Sequence, residues 1–137
     1  MEIKIGKSGM PNLEQIRAKN AYAARESIGT GKEGGRAVAK KVPAMIIANG
    51  FIGAFAFAIE DNGGYLTVFK AVIKHLHDAH LNCGIEATDP ARFLDELCGR
   101  DADTLRAVTD EAMAYLNYLR RFAKPGKEET RDGNGAQ

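Results

Sequence analysis

Apolar residues recur along this chain at spacings of three and four, and no β-branched run alternates with polar positions, so the pattern predicts helices and no strands. The first helix is expected over about residues 12–28, where Pro11 and Asn12 are suitable starters and Gly29 is a natural left-handed stop. Its stripe is Leu13, Ile16, Ala24 and Ile28, with Lys19, Tyr22, Arg25 and Glu26 on the opposite face. A short second helix is predicted over about 33–42, and Pro43 either kinks it or opens a new one, because proline fits a first turn and not a helix interior.

The stretch VPAMIIANGFIGAFAFAI, residues 42–59, is uncharged and just long enough to suggest a membrane span. Pro43, Asn49, Gly50 and Gly53 would break such a span near its middle, and no other segment is comparably apolar. The run is therefore read as two buried helices joined at Asn49 and Gly50, forming the centre of the core rather than a membrane segment. Asp61, Asn62, Gly63 and Gly64 make the next turn, and a helix follows over about 65–81 with Tyr65, Val68, Phe69, Val72, Ile73 and Leu76 on one face. Asp89 and Pro90 start a helix that reaches about Cys98 and closes at Gly99. Asp101 or Asp103 caps the last and longest helix, to about Ala123, striped by Leu105, Val108, Ala112, Tyr115, Leu116, Leu119 and Phe122.

These elements predict an all-α, compact single-domain bundle of about six helices with no sheet, over residues 12–124. Residues 1–11 are expected to be a flexible N-terminus and 125–137 a disordered polar tail, because the tail holds no apolar residue larger than alanine. The core should centre on Met45, Ile46, Phe51, Phe55, Phe57, Val72, Leu76, Leu116 and Leu119.

Composition narrows the class without naming an activity. A 45% apolar and 27% charged chain of 137 residues is an ordinary soluble globule of one domain. The opening MEIKIGKSGM has no signal-peptide core, so a cytoplasmic protein with reduced Cys83 and Cys98 is expected, Cys98 serving as core filler. The net charge of +1 conceals an uneven distribution: residues 1–41 carry +5, 42–59 nothing, 60–111 carry −6 and 112–137 carry +2. Basic ends around an acidic middle suit a subunit that meets phosphate on one surface and basic neighbours on another.

Candidate chemistry is sparse. His75, His77, His80 and Cys83 are a dense set of zinc-ligand types, and a helical metal-binding or catalytic protein built on them is the alternative function. On a helix, however, His75 points roughly 140° or more from His77 and His80, and His80 falls on the apolar stripe, which favours a core or helix-end histidine over a metal or cofactor site. The glycine-rich run 29–35 lacks the Ser or Thr after its lysine that a phosphate loop needs, and a helix rather than a strand precedes it. No Ser, Cys or Thr has His and Asp at a spacing that suggests nucleophilic catalysis, so no catalytic residues are expected. The remaining constellation is basic: Arg17, Lys19 and Arg25 on the first helix, Lys40 and Lys41 before the core, and Arg120, Arg121 and Lys124 at the end of the last. If first and last helices are neighbours, these cations converge beside Tyr115, Tyr118 and Phe122 as an RNA-binding surface.

Four blocks together resemble the small-subunit family of the type III-B CRISPR effector, the Cmr ribonucleoprotein. They are RAKNAYAA (17–24), KKVPAMIIANGFIGAFAFA (40–58), YLTVFKAVIKHL (65–76) and RAVTDEAMAYLNYLRRFAK (106–124). Tyr118 stands where the family usually has tryptophan, and Phe51 where leucine often follows Asn-Gly. The resemblance implies a small helical, non-catalytic subunit present in several copies, lining the groove where guide RNA pairs with target RNA. Its implied partners are other subunits of the complex, further copies of itself and both RNA strands, with no membrane. It does not say which cations meet phosphate.

Overall fold

A computed structural model of the chain describes residues 11–28 and 35–123, so the expected N-terminal segment 1–10, the glycine-rich run 29–34 and the tail from Lys124 onward lie outside the described residues. The described part is all-helical, with five helices and no strand. α1 spans Leu13–Ala24 and opens with a reciprocal capping box, Asn12 Oδ1 accepting from Gln15 N–H and Gln15 Oε1 from Asn12 N–H, each at 2.8 Å. The helix proper ends four residues before the expected stop, but the turns that follow still bury Ile28.

α2 spans Arg36–Asp61 and accounts for the difference between six expected helices and five. Pro43 neither ends nor restarts it, because Val38, Ala39, Val42 and Ile46 bury one continuous face on both sides of the proline. The break falls instead at Gly50, whose φ of 82° and ψ of 159° lie in a region that favours glycine. Beyond it Phe51, Ala54, Phe55 and Ala58 form a second buried face, and Asn62 closes the helix in the left-handed conformation. By length and composition α2 could cross a bilayer, but the Gly50 break leaves each half shorter than a span requires.

The apolar run is more exposed than expected. Met45 is half-buried and Phe57 is 46% exposed, its ring edge-on to Tyr65 at 5.5 Å, and Ile47 is 76% exposed. A helix that carries apolar residues all round buries only the stripe its neighbours reach. The other seven expected core residues are buried.

α3 spans Gly64–Leu76 and stops a turn earlier than expected. At that point the Asp78 carboxylate accepts from the His80 backbone N–H at 2.8 Å, offering the chain a turn in place of further helix. His80 is therefore an exposed turn residue rather than part of an apolar stripe. α4, Pro90–Cys98, and α5, Ala102–Phe122, start as expected on Asp89 and Asp101, whose carboxylates accept from Arg92 N–H (3.2 Å) and Thr104 N–H (2.8 Å). Cys98 faces solvent rather than the core, one position beyond the buried Leu97.

The core is an aromatic cluster. Phe55 stacks on Phe69 at 4.8 Å, Phe51 meets both rings edge-on, and Phe93 of α4 closes the group 5.8 Å from Phe55. It joins α2, α3 and α4, while α5 lies across α1, α2 and α3 through Val108, Ala112, Leu116 and Leu119.

Adjacent substitutions on α2 test this placement. Ile46, 4% exposed, should not tolerate aspartate: Ile46→Asp buries an unpaired charge and is expected to cost about 4 kcal/mol or more. Ile47→Asp should change stability by about 0.5 kcal/mol or less. Urea denaturation of both variants measures the contrast, and equal losses would contradict the assigned face.

Candidate nucleic-acid interface

The first polar constellation the fold assembles is part-buried and centres on the buried His75. Arg17 of α1 forks onto Glu111 of α5, Nε to Oε2 and Nη2 to Oε1, both at 2.8 Å. His75 of α3, fully buried, places Nε2 2.8 Å from the same Oε2 and stacks on Tyr115 with ring centroids 4.3 Å apart. Asn20 sits on the far side of the imidazole, its amide nitrogen 2.9 Å from both His75 Nδ1 and Asp78 Oδ2. Ionised Asp78 can accept but not donate, so the amide nitrogen must face it. The other amide hydrogen then points at Nδ1, which makes His75 a neutral ring accepting at Nδ1 and donating from Nε2 to Glu111.

The electrostatics agree with that tautomer. Burial pushes the His75 imidazole below its ordinary value, by more than Glu111 and Asp78 raise it. Burial alone would raise the Glu111 carboxyl, but hydrogen bonds from Arg17 and His75 outweigh it and hold it below the usual range. Asp78 is held at about 2, chiefly by the His80 backbone N–H and also by Asn20.

The second constellation lies at the end of α5. Tyr22 of α1 meets Phe122 edge-on at 5.6 Å, and the Arg25 guanidinium lies over the Tyr22 ring, 3.6 Å from its centroid. Arg25 also donates to the Tyr22 carbonyl at 2.6 Å. Arg36, in the first turn of α2, donates from Nε to the Ala123 carbonyl at 3.2 Å, which draws the start of α2 to the same end. Lys40 follows one turn later on the same face of α2 and is exposed, as is Lys41 about 100° further round. Arg120 reaches back to Asn117 Oδ1 (3.2 Å from Nη2), and Arg121 faces solvent.

The expected cations thus separate. Arg25, Lys40, Arg120 and Arg121 gather where three helix ends meet, while Lys19 stays exposed on the outer face of α1 and Arg17 is committed to Glu111. Lys124 lies outside the described residues. Arg36 joins the basic edge without having been expected there, although its place one turn before Lys40 was a usable signal. Glu111 and Asn20 gave none, because their partners stand 94 and 55 residues away.

The zinc-ligand types do not converge. His75 is held by Glu111 and Asn20, His77 Nδ1 donates to the Ile73 carbonyl at 2.9 Å, His80 pairs with Asp78, and Cys83 Sγ accepts from Ile85 N–H. No group of three or more metal-ligand residues forms among the described residues.

A family model described as CRISPR-associated protein (Cas_Cmr5) matches residues 13–125, which include every helix above. The chain belongs to this family. It is accordingly a subunit of the type III-B CRISPR effector, the Cmr complex, and associates with other subunits of that complex. No curated protein and no solved structure matches it. Within this Cmr-family chain Glu111 ties three helices together, holding α1 through Arg17 and α3 through His75.

That network makes stability depend on pH. Unfolded His75 takes a proton near pH 6.5 and the native site resists it, so stability is expected to fall as pH drops below about 6.5. A second loss follows as Glu111 and Asp78 are protonated, starting from their ordinary values of 4.5 and 3.8. Urea midpoints at about pH 7, 5.5 and 4 should show both steps, and His75→Phe should remove the first while keeping the second.

Proposed function

We propose that this chain is a non-catalytic structural subunit that lines the groove holding guide RNA and target RNA, and that it stabilises the duplex through backbone phosphates. The observation that carries this reading is the basic edge at the end of α5, where Arg25, Arg36, Lys40, Arg120 and Arg121 come from three helices and Tyr22 and Phe122 hold the junction. Guanidinium groups suit phosphate because their forked donors match its geometry, and such contacts give affinity without sequence preference.

The opposite end of α5 supports a repeating arrangement. Asp89, Asp95, Glu96, Asp101 and Asp103 outnumber Arg92, Arg100 and Arg106 around the beginning of α5, which leaves that end net acidic although Arg100 pairs with Glu96 and Arg106 with Asp103, and α5 is about 30 Å long at 1.5 Å per residue. An acidic end and a basic end that far apart allow neighbouring copies to stack along the RNA without their like charges meeting. The exposed Ile47 and Phe57 give apolar area for contacts with other subunits. The chain would act in the cytoplasm and need no cofactor.

A single copy neutralises few phosphates and should bind RNA weakly, with the useful affinity arising when copies align on one duplex. Arg120→Glu together with Arg121→Glu should leave folding nearly intact, since neither side chain contributes to the core. In the assembled complex the pair should weaken target RNA retention, more at low salt than at high, and reduce the slope of log affinity against log salt. Filter binding across a salt series measures this, and an unchanged slope in a fully assembled mutant complex would rule out this edge.

A further inference from the structure

The outer side of α2 is a helix face without a partner. Between Lys41 and Glu60, both exposed, the chain carries no charge and Asn49 is the one polar side chain. Ala44, Ile47 and Ala48 before the Gly50 break, and Gly53, Ala56 and Phe57 after it, are all exposed. Each half of the helix thus has an apolar outer stripe opposite its buried one. The break turns the halves so that both buried stripes meet the other helices, and the outer stripes are carried round with them. Ile47 and Phe57 are the large side chains on this face, and Phe57 is held by its edge-on contact with Tyr65.

Gly53 adds a separate observation. Its backbone is helical, and a Cβ at this position would meet no side chain but that of Asn49, at 3.4 Å. Nothing within the chain therefore requires glycine there, although glycine in a helix interior costs stability relative to alanine. What glycine does provide on an outer face is room for another surface to come close.

The charges at the two ends choose the partner. The strip runs from a cation, Lys41, to an anion, Glu60, up to about 28 Å away at 1.5 Å per residue. A parallel copy would set lysine on lysine and glutamate on glutamate, and a negatively charged lipid surface would repel the Glu60 end. A second copy related by a twofold axis runs antiparallel, so each Lys41 faces the partner's Glu60. That alignment puts the axis between Gly50 and Phe51 and fixes the remaining register. Phe57 then falls opposite the small Ala44, and Ile47 falls beside Gly53, large against small at each point as close packing needs.

We propose that two copies of this chain pair through the outer face of α2, antiparallel and symmetrical, with Ile47 and Phe57 buried at the contact and Lys41 and Glu60 paired across its ends. This assigns a partner to the apolar area of α2 and does not rest on RNA binding. The basic edge uses none of these side chains, and copies aligned along RNA would meet through the ends of α5.

Sedimentation equilibrium of the full-length chain from about 1 to about 200 µM, without RNA, tests it. The mass should rise from 14.8 kDa towards twice that value and no further, because a twofold contact uses up its own surface. Ile47→Asp, at a position where the fold should be insensitive, is expected to weaken dimerisation at least about tenfold with an unchanged helical spectrum. Lys41→Glu and Glu60→Lys should each weaken it about fivefold, more at low salt than at high, since each sets like charges together at both ends. Combining the two changes in one chain recreates the opposite pairs, and so does mixing the two single variants, so either should recover the dimer. Arg120→Glu with Arg121→Glu should dimerise as the unmodified chain does, which keeps this contact separate from the RNA-binding reading. The proposal is overturned if the chain stays monomeric throughout, if it grows past two copies, if Ile47→Asp dimerises unchanged, or if the charge exchange recovers nothing. Flotation of the chain with phosphatidylcholine vesicles would equally overturn it, by assigning the face to a lipid surface.

Discussion

The carboxylate of Glu111 is the contact on which the helical arrangement turns. It accepts a forked pair from Arg17 and a third hydrogen bond from His75, so one side chain on α5 fixes the approach of α1 and of α3. A carboxylate at this depth is tolerated because its charge is matched by Arg17 and its oxygens are occupied. Removing Glu111 would leave the buried His75 Nε2 without its acceptor, which costs more than the bond itself contributes. Tyr115 and Asn20 complete the clamp by fixing the ring plane and the tautomer of His75.

Around that clamp the apolar packing is divided by the break in α2. Gly50 lets one long helix present two buried faces, Val38, Val42 and Ile46 before it and Phe51, Phe55 and Ala58 after it. The second face builds the ring cluster with Phe69 and Phe93, and the first lies nearer α5 and the basic edge. A straight helix would keep a single stripe and could not serve both. The remaining apolar side chains of α2 are left outward, consistent with a protein whose working state is within a complex.

The basic edge shows how a surface of one charge sign can be held together. Arg25 is spread on the Tyr22 ring with the Glu26 carboxylate 3.9 Å away, Arg36 is tied to the Ala123 carbonyl and Arg120 to Asn117, so the partners at hydrogen-bond distance are neutral groups. Their charge is thereby left available to phosphate. Arg17 is the contrast: a cation on the same helix as Arg25, but neutralised by Glu111 and spent on the fold.

The sequence by itself determined the elements and the class. Helical periodicity, the caps at Asn12, Asp89 and one of Asp101 and Asp103, the break at Asn49 and Gly50 and the family blocks are local signals, because each depends on residues within a few positions of one another. Tertiary structure alone decided which apolar side chains are covered, leaving Phe57 and Ile47 outside, and turned His75 from a ligand type into a neutral buried ring. It also separated Arg17 from the other cations and brought Arg36 among them. The physical reason is the same in each case: burial and pairing are set by partners tens of residues away, and a pattern of period 3.6 gives the faces of a helix but not which neighbour each face will meet.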